Sequence, residues 1–186
     1  MGDDGTDTSH GLRRWRRTGS REVYRSPWVG VREDSIVFPN GQESTYSVFE
    51  LGRCVGVLPL RDDGRVALVR QYRYIGDTFP WEMPTGNIAA DESPEDAANR
   101  ELAEEAGYRA GRLEPLGHVR TSKAHCDEIA YLYAGSALTP ALAAPDETEE
   151  IERGLFLFDE VLEMVCDGRI VDSMTIIAVL RVALGR

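Results

Sequence analysis

One stretch, residues 86–108, constrains this chain more than any other. It reads GNIAADESPEDAANRELAEEAGY. Ser93 is suited to cap the N-terminus of a helix, and Pro94 is suited to its first position. Gly107 is suited to end the helix, because glycine adopts the left-handed conformation without strain. The pattern predicts a single helix over residues 93–106.

Acidic residues crowd the second half of this helix. Glu101, Glu104 and Glu105 stand at i, i+3 and i+4, so at least two of them point the same way. Like charges at that spacing repel by a few tenths of a kcal/mol per pair. One interpretation is a solvated acidic face. The other is a cation site, for which carboxylate oxygens favour Mg²⁺ or Mn²⁺.

The spacing of the charged and glycine residues decides between these interpretations. It resembles the signature of the Nudix hydrolases, G-x5-E-x7-R-E-U-x-E-E-x-G-U, where U is a bulky apolar residue. The departure is Tyr108, an aromatic residue where an aliphatic one is usual. The matching residues are Gly86, Glu92, Arg100, Glu101, Leu102, Glu104, Glu105 and Gly107.

Length and charge limit the possible functions further. The chain has 186 residues, of which 42% are hydrophobic, so it is long enough for one domain with a proper core. Its formal net charge of −11 argues against a nucleic-acid or anionic-membrane surface. With no apolar run of membrane-spanning length and no signal peptide, the sequence predicts a cytoplasmic enzyme.

Patterning along the chain predicts three regions. Residues 1–19 are expected to be a flexible tail, residues 20–50 a set of antiparallel strands, and residues 51–186 the catalytic domain. Strands on both sides of one long helix, with helices at the end, indicate an α/β/α sandwich around a mixed sheet, which is also the Nudix fold. The predicted strands are 29–38, 44–49, 54–60, 66–72, 79–83, 113–119, 128–133 and 151–158, the predicted helices 159–166 and 173–184, and the predicted loop 137–150.

Four further stretches resemble one Nudix subgroup, the ADP-ribose pyrophosphatases and related nucleoside diphosphate sugar hydrolases. They are LVRQYR, WEMPTG, DETEE and VDSMTIIAVL, in that order. The resemblance implies a homodimer that hydrolyses ADP-ribose to AMP and ribose 5-phosphate. The alternatives are another nucleotide sugar or FAD as substrate, or a sensor that binds a nucleotide without cleaving it.

The resemblance also implies the metal ligands and the general base. Glu101 and Glu105 match the metal-binding glutamates, and Thr85 would contribute its backbone carbonyl. Glu149 matches a loop glutamate that reaches a metal. The base is left open: Glu147 and Glu104 are both candidates.

Substrate contacts are implied at five more positions. Trp28 and Tyr46 match aromatic residues that sandwich the adenine across the dimer in related enzymes, although both also suit packing on a sheet. Arg73 matches an arginine that contacts the diphosphate or the terminal ribose. Glu82 and Glu128 match carboxylates near the substrate.

One loop departs from the subgroup. ADP-ribose hydrolases often carry a proline about sixteen residues after the signature, whereas residues 121–128 read TSKAHCDE. Lys123 and His125 offer donors that could meet a different phosphate or sugar. The identity of the group bound on that side of the substrate therefore stays open.

Overall fold

The computed structural model describes residues 11–141 and 150–185. The chain divides into two compact units. The N-terminal unit comprises Met1–Leu51 and Ser122–Asp127, and the core unit comprises Gly52–Thr121 and Glu128–Arg186. Among the described residues, no helix has the length and apolar character needed to cross a membrane.

The N-terminal unit is a three-stranded antiparallel sheet in the order β1-β2-β3. Its strands are β1 (Arg16–Arg25), β2 (Gly30–Val37) and β3 (Glu43–Glu50). The predicted tail is wrong at residues 16–19, which belong to β1. This edge strand keeps its charged side chains in solvent while its backbone pairs with β2, so it needs no apolar pattern.

Two more sheets form the core unit. The mixed sheet has the order β7-β4-β9-β8, with β4 and β9 parallel and the other pairs antiparallel. The second sheet, β10-β5-β6, is antiparallel. The strands are β4 (Arg53–Pro59), β5 (Arg65–Arg70), β6 (Trp81–Glu82), β7 (Thr85–Asn87), β8 (Tyr108–Arg120), β9 (Ile129–Pro140) and β10 (Glu152–Leu157).

The helix that carries the acidic residues has two parts. The α-helix α1 (Pro94–Glu101) continues directly into a single π-helical turn, Leu102–Ala106, which we call the π turn. Ser93 caps the start, since its hydroxyl accepts the Asp96 N–H, and Gly107 ends the π turn in the left-handed region at φ 75°. Both ends agree with the prediction, but the change of helix type does not. The other helices are α2 (Phe158–Cys166) and α3 (Ser173–Ala183).

Strand β4 separates two apolar cores, because successive side chains of a strand point to opposite faces. Leu58 belongs to the core that contains Ala178 of α3. Val57 belongs to the core that contains Leu102 of the π turn. Leu102 is fully buried, which stabilises the fold by roughly 1.5–3 kcal/mol. Helices on both faces of a mixed sheet confirm the predicted sandwich.

The predicted loop over residues 137–150 is wrong at its start. Residues 137–140 are the end of β9, where Pro140 pairs with Tyr108 at the first position of β8. The proline sits at the strand terminus, where its missing N–H costs little. Residues 142–149 lie outside the described residues.

Candidate active site

The centre of the site is a close contact between β7 and the acidic helix. Glu101 and Glu105 are buried, with 9% and 3% of their surface exposed. A β-carbon on Gly86 would lie 2.0 Å from Oε1 of Glu101, so only glycine fits this approach. The backbone N–H of Thr85 donates to Oε2 of Glu105 at 2.9 Å. Two carboxylates of the helix therefore meet the backbone of Thr85 and Gly86 at the start of β7.

The register of β7 directs the backbone of Thr85 toward these carboxylates. The Val57 N–H donates to the Pro84 carbonyl at 3.0 Å, and the Ile88 N–H donates to the Arg53 carbonyl at 3.0 Å. Hydrogen-bonded and non-hydrogen-bonded pairs alternate along an antiparallel ladder. Thr85 thus falls at a non-hydrogen-bonded position, and both its N–H and its carbonyl point away from β4.

Arg100 holds together the other acidic residues of the signature. Its Nε and Nη2 bind the two oxygens of Glu92 at 2.9 and 3.0 Å, a bidentate pair. Its Nη1 donates to Glu101 at 2.7 Å and to Glu104 at 3.1 Å, and its Nη2 also donates to the Asn87 carbonyl. These bonds, led by those to Glu92, raise the pKa of Arg100, and the guanidinium in turn lowers the pKa of Glu92. Arg100 offsets part of the repulsion that the sequence predicted.

Arg153 of β10 fixes the end of the π turn. Its Nε donates to the Glu105 carbonyl at 2.6 Å, and its Nη2 donates to the Glu104 carbonyl at 3.0 Å. The last carbonyls of a helix lack partners within the helix, so a cation at this end is favourable. Sequence reasoning missed Arg153, because the residues it binds lie nearly fifty positions earlier and no local pattern marks the contact.

Arg73 and Glu82 form a pair of their own. Nε of Arg73 donates to Oε2 of Glu82 at 3.0 Å, and Nη2 binds the same oxygen. Burial lowers the pKa of Arg73, but the hydrogen bond to Glu82 and the charges of Glu82, Glu105 and Asp172 raise it more, and the net shift is upward. Arg73 thus sits in the field of several carboxylates, one of which belongs to the predicted metal site.

The predicted aromatic contacts lie in the N-terminal unit. Trp28 is 82% exposed and lies in the bend between β1 and β2. Tyr46 of β3 is partly buried, its hydroxyl donates to the Ala124 carbonyl, and its ring packs edge-on to Trp15 at 5.8 Å. Within the core unit, Glu128 accepts a hydrogen bond from the Thr121 hydroxyl.

The loop that departs from the subgroup is anchored to β3. The Phe49 N–H donates to the His125 carbonyl at 2.8 Å, and the Asp127 N–H returns to the Phe49 carbonyl at 3.1 Å. The side chains of Lys123 and His125 are exposed. Ala124, which accepts from Tyr46, belongs to the same loop, so the divergent segment and one predicted stacking residue are directly hydrogen-bonded.

The donor chemistry of the site fits a hard divalent cation. Two buried carboxylates, Glu101 and Glu105, lie against β7, where the Thr85 carbonyl points away from β4, and oxygen donors of this kind suit Mg²⁺ and Mn²⁺. Across residues 11–141 and 150–185, no three His, Cys, Asp or Glu side chains are grouped to hold a metal by themselves. The predicted Glu147 and Glu149 lie outside the described residues.

A separate cleft of about 860 Å³ opens at the ends of β5 and β10. The glutamates of the signature do not line it. Its aromatic wall is the pair Tyr72 and Phe79, with ring centroids 5.4 Å apart. The lining residues are Arg70, Gln71, Tyr72, Phe79, Glu150, Ile151 and Glu152.

Comparison with known families agrees with this geometry. The model of the NUDIX domain matches residues 50–171, and the chain therefore belongs to the Nudix family. A second model, the nucleoside diphosphate sugar hydrolase N-terminal domain, matches residues 15–49. The two matches together span the N-terminal strands and most of the core unit.

Individual relatives carry different names. The chain is 32% identical over 162 residues to a methanol dehydrogenase activator of Bacillus methanolicus, covering 86% of this chain and 88% of the relative. It is 31% identical over 166 residues to an ADP-ribose pyrophosphatase of Mycobacterium tuberculosis, covering 88% and 80%. A crystal structure of an ADP compounds hydrolase superposes with a TM-score of 0.85 at 22% identity, covering 94% of this chain and 95% of that one, which shows a shared fold.

These findings confirm the predicted family, its ADP-ribose pyrophosphatase-like subgroup and the α/β fold. The protein is a Nudix pyrophosphohydrolase. Hydrolases of this family generally use divalent metal cations, which agrees with the donor chemistry of Glu101 and Glu105.

Proposed function

We propose that this enzyme hydrolyses the diphosphate linkage of ADP-ribose and releases AMP and ribose 5-phosphate. The observation that carries the proposal is the pair of buried carboxylates, Glu101 and Glu105, held against the backbone of Thr85 and Gly86. The choice of ADP-ribose rests on the relative named as an ADP-ribose pyrophosphatase, and the N-terminal domain match supports a nucleoside diphosphate sugar more generally.

We propose Mg²⁺, with Mn²⁺ as a substitute, as the cation. Glu101, Glu105 and the Thr85 carbonyl would hold it, joined by Glu149. When bound, such cations neutralise the diphosphate oxygens and lower the pKa of water. The protein's own contribution is positioning: Arg100 fixes Glu101, and Arg153 fixes the backbone of Glu105. Phosphoryl transfer depends mostly on positioning and positive charge.

The general base is Glu147 or Glu104, and the two can be separated by experiment. Glu104 is held by Arg100 at 3.1 Å, so Glu104→Gln removes one acceptor from an established network. We expect the variant of the true base to lose the acidic limb of the kcat pH profile. The variant of the other residue should keep that limb, even if its rate is lower.

The contacts that we propose with the substrate match the chemistry of each side chain. Arg73 has five N–H donors in a rigid fork. Pairing with Glu82 through Nε and Nη2 fixes the plane of that fork, and in the proposal Arg73 presents it to the diphosphate. Trp28 and Tyr46 stack on the adenine, which is worth about 1–3 kcal/mol per stacking contact. Glu128 accepts hydrogen bonds from hydroxyl groups of the ribose.

The enzyme is further proposed to be a cytoplasmic homodimer. All ten residues of β1 are exposed, including Val23 and Tyr24, which is unusual for a strand unless another surface covers it. Light scattering on the full chain should give twice the mass of one protomer. A monomer at micromolar concentration would contradict this part of the proposal.

The test is phosphate release with Mg²⁺ across ADP-ribose, GDP-mannose, UDP-glucose, FAD, NADH and dATP, with phosphatase added to expose the products. We expect ADP-ribose to give the highest kcat/KM and Glu105→Gln to be inactive on every compound. Higher kcat/KM on another compound would overturn the proposed substrate but not the site.

One observation favours a second candidate substrate. The loop of Lys123 and His125 lacks the usual proline and is hydrogen-bonded to β3. Another nucleotide sugar or FAD is therefore the alternative. If it is the true substrate, Lys123→Ala should lower kcat/KM for that compound more than for ADP-ribose.

A further inference from the structure

A chain of hydrogen bonds, buried at Met83 and Thr175 and partly buried at Asp172, joins α3 to the segment before Thr85. The Met83 N–H donates to the Thr175 hydroxyl at 3.0 Å. That hydroxyl donates to Oδ2 of Asp172 at 2.6 Å, and the Thr175 N–H donates to the same oxygen at 2.7 Å. Thr175 and Met83 are fully buried. The contact links residues 83 and 175, which are far apart in sequence.

The direction of this chain is fixed by its chemistry. A threonine hydroxyl has one hydrogen to donate, and Asp172, as an ionised carboxylate, can only accept. The hydroxyl hydrogen therefore goes to Asp172, and the lone pairs of the hydroxyl are turned to the Met83 N–H. Asp172 also caps the N-terminus of α3, so one carboxylate orders both the helix start and the hydroxyl.

Successive residues of the Met83–Thr85 segment are each tied to a different element. Met83 is bound to α3 through Thr175. Pro84 has no N–H, and its carbonyl accepts from Val57 of β4. Thr85 is bound to Glu105 of the π turn. Without the bond from Met83 to Thr175, the segment would keep its bonds to β4 and to Glu105 of the π turn.

We propose that Thr175 and Asp172 are positioning residues, which set the Met83–Thr85 segment so that the Thr85 carbonyl and the Glu105 carboxylate address the same cation. The proposal rests on the proposed function only in assigning that cation to Thr85 and Glu105. In this proposal neither Thr175 nor Asp172 contacts the substrate. Asp172 and Glu105 both lie near enough to Arg73 for their charges to raise the pKa of its guanidinium, which supports a position of Asp172 close to the proposed metal site.

The test compares two substitutions at one position. Thr175→Val keeps the shape of the side chain but removes the hydroxyl, so the Met83 N–H loses its acceptor. Thr175→Ser keeps the hydroxyl and loses a methyl group. Val179→Ala, a fully buried residue of α3 outside the chain of hydrogen bonds, is the control for loss of stability.

Two readouts require no substrate. Calorimetry on the full chain measures Mn²⁺ binding, and hydrogen exchange measures protection of the Thr85 amide. We expect Thr175→Val to weaken Mn²⁺ binding about tenfold or more, as is typical when groups that orient metal ligands are removed. We also expect the Thr85 amide to exchange at least about tenfold faster than in Val179→Ala, because the segment opens locally. Thr175→Ser should stay within about threefold of the wild type in Mn²⁺ binding.

Unchanged Mn²⁺ affinity and unchanged Thr85 protection in folded Thr175→Val would overturn the proposal. So would equal losses in Val179→Ala. Should Thr175→Val fail to fold, Asp172→Asn provides the second variant, since it keeps one oxygen acceptor and weakens the bond to the hydroxyl. If the wild type cleaves no compound of the panel, the proposed substrate fails, whereas the Mn²⁺ and exchange results still decide the positioning role.

Discussion

Replacing Gly86 by alanine should displace Glu101 without unfolding the protein. The added β-carbon would lie 2.0 Å from Oε1 of Glu101 and 2.1 Å from its Cδ. Ordinary van der Waals contact begins at 3.4 Å, so the carboxylate has to move by about 1.4 Å. The clash involves the far end of a side chain, which moves more cheaply than backbone.

The expected effect on catalysis is large, because a misplacement of about 1 Å can cost about 100-fold in rate. We expect kcat/KM for ADP-ribose to fall by about 100-fold or more, and the apparent Mg²⁺ affinity to fall with it. The displaced Glu101 also loses its 2.7 Å bond to Arg100, which costs about 1–2 kcal/mol at a partly exposed site. A loss of that size lowers Tm by roughly 2–8 °C for a chain of this length.

Gly19→Ala is the matched control. At Gly19 the new β-carbon meets Ser35 at 3.7 Å, an ordinary contact, so both activity and stability should be retained. The measurements are coupled phosphate release over a Mg²⁺ titration and thermal unfolding followed by circular dichroism. A folded Gly86→Ala variant with wild-type kcat/KM and Mg²⁺ dependence would refute the role given to Glu101.

Three further predictions concern the same helix. Glu105→Gln should abolish turnover while thermal unfolding stays close to wild type, because the amide oxygen can still accept the hydrogen bond from the Thr85 N–H. Near-normal turnover at saturating Mg²⁺ would contradict the assignment of Glu105 to the metal site. Arg153→Met should cost about 1 kcal/mol in urea unfolding, since two carbonyls of the π turn lose their donor, and an unchanged midpoint would contradict this. Glu92→Gln should be less stable than wild type at pH 7. Arg100 lowers the pKa of folded Glu92 below its unfolded value of about 4.3, so the wild type loses this extra stability as the pH falls below the unfolded value and through the lowered folded value. Urea unfolding at pH 7 and 3.5 should therefore show a smaller difference in stability between wild type and Glu92→Gln at the lower pH.

The parts of the site that sequence could predict are those determined by neighbours in the chain. Ser93 caps α1 and Gly107 ends the π turn as predicted, because capping depends on side chains within a few residues. Arg100 and Glu92, which the sequence identified as members of the spaced signature, are paired in the structure. These are local geometries with strong residue preferences.

The contacts that the sequence could not predict join distant segments. The anchoring of Met83 by Thr175 and the binding of the π turn by Arg153 each connect elements that are far apart in the sequence. No periodicity records such contacts. The end of β9 was missed for a related reason, since pairing with β8 outweighs the weak strand propensity of Ala137 and Pro140.

The π turn makes the number of residues in this helix as important as their identity. The N–H of Gly107 reaches the carbonyl of Leu102, five positions back, as well as that of Ala103, four positions back, so this turn is wider than a regular α-helical turn. Deleting a residue there would restore α-helical spacing but rotate every later residue by about 100°. Either Glu105 would move away from the Thr85 N–H, or Gly107 would move away from the start of β8. The turn therefore cannot be shortened by one residue without breaking a contact at one of its ends.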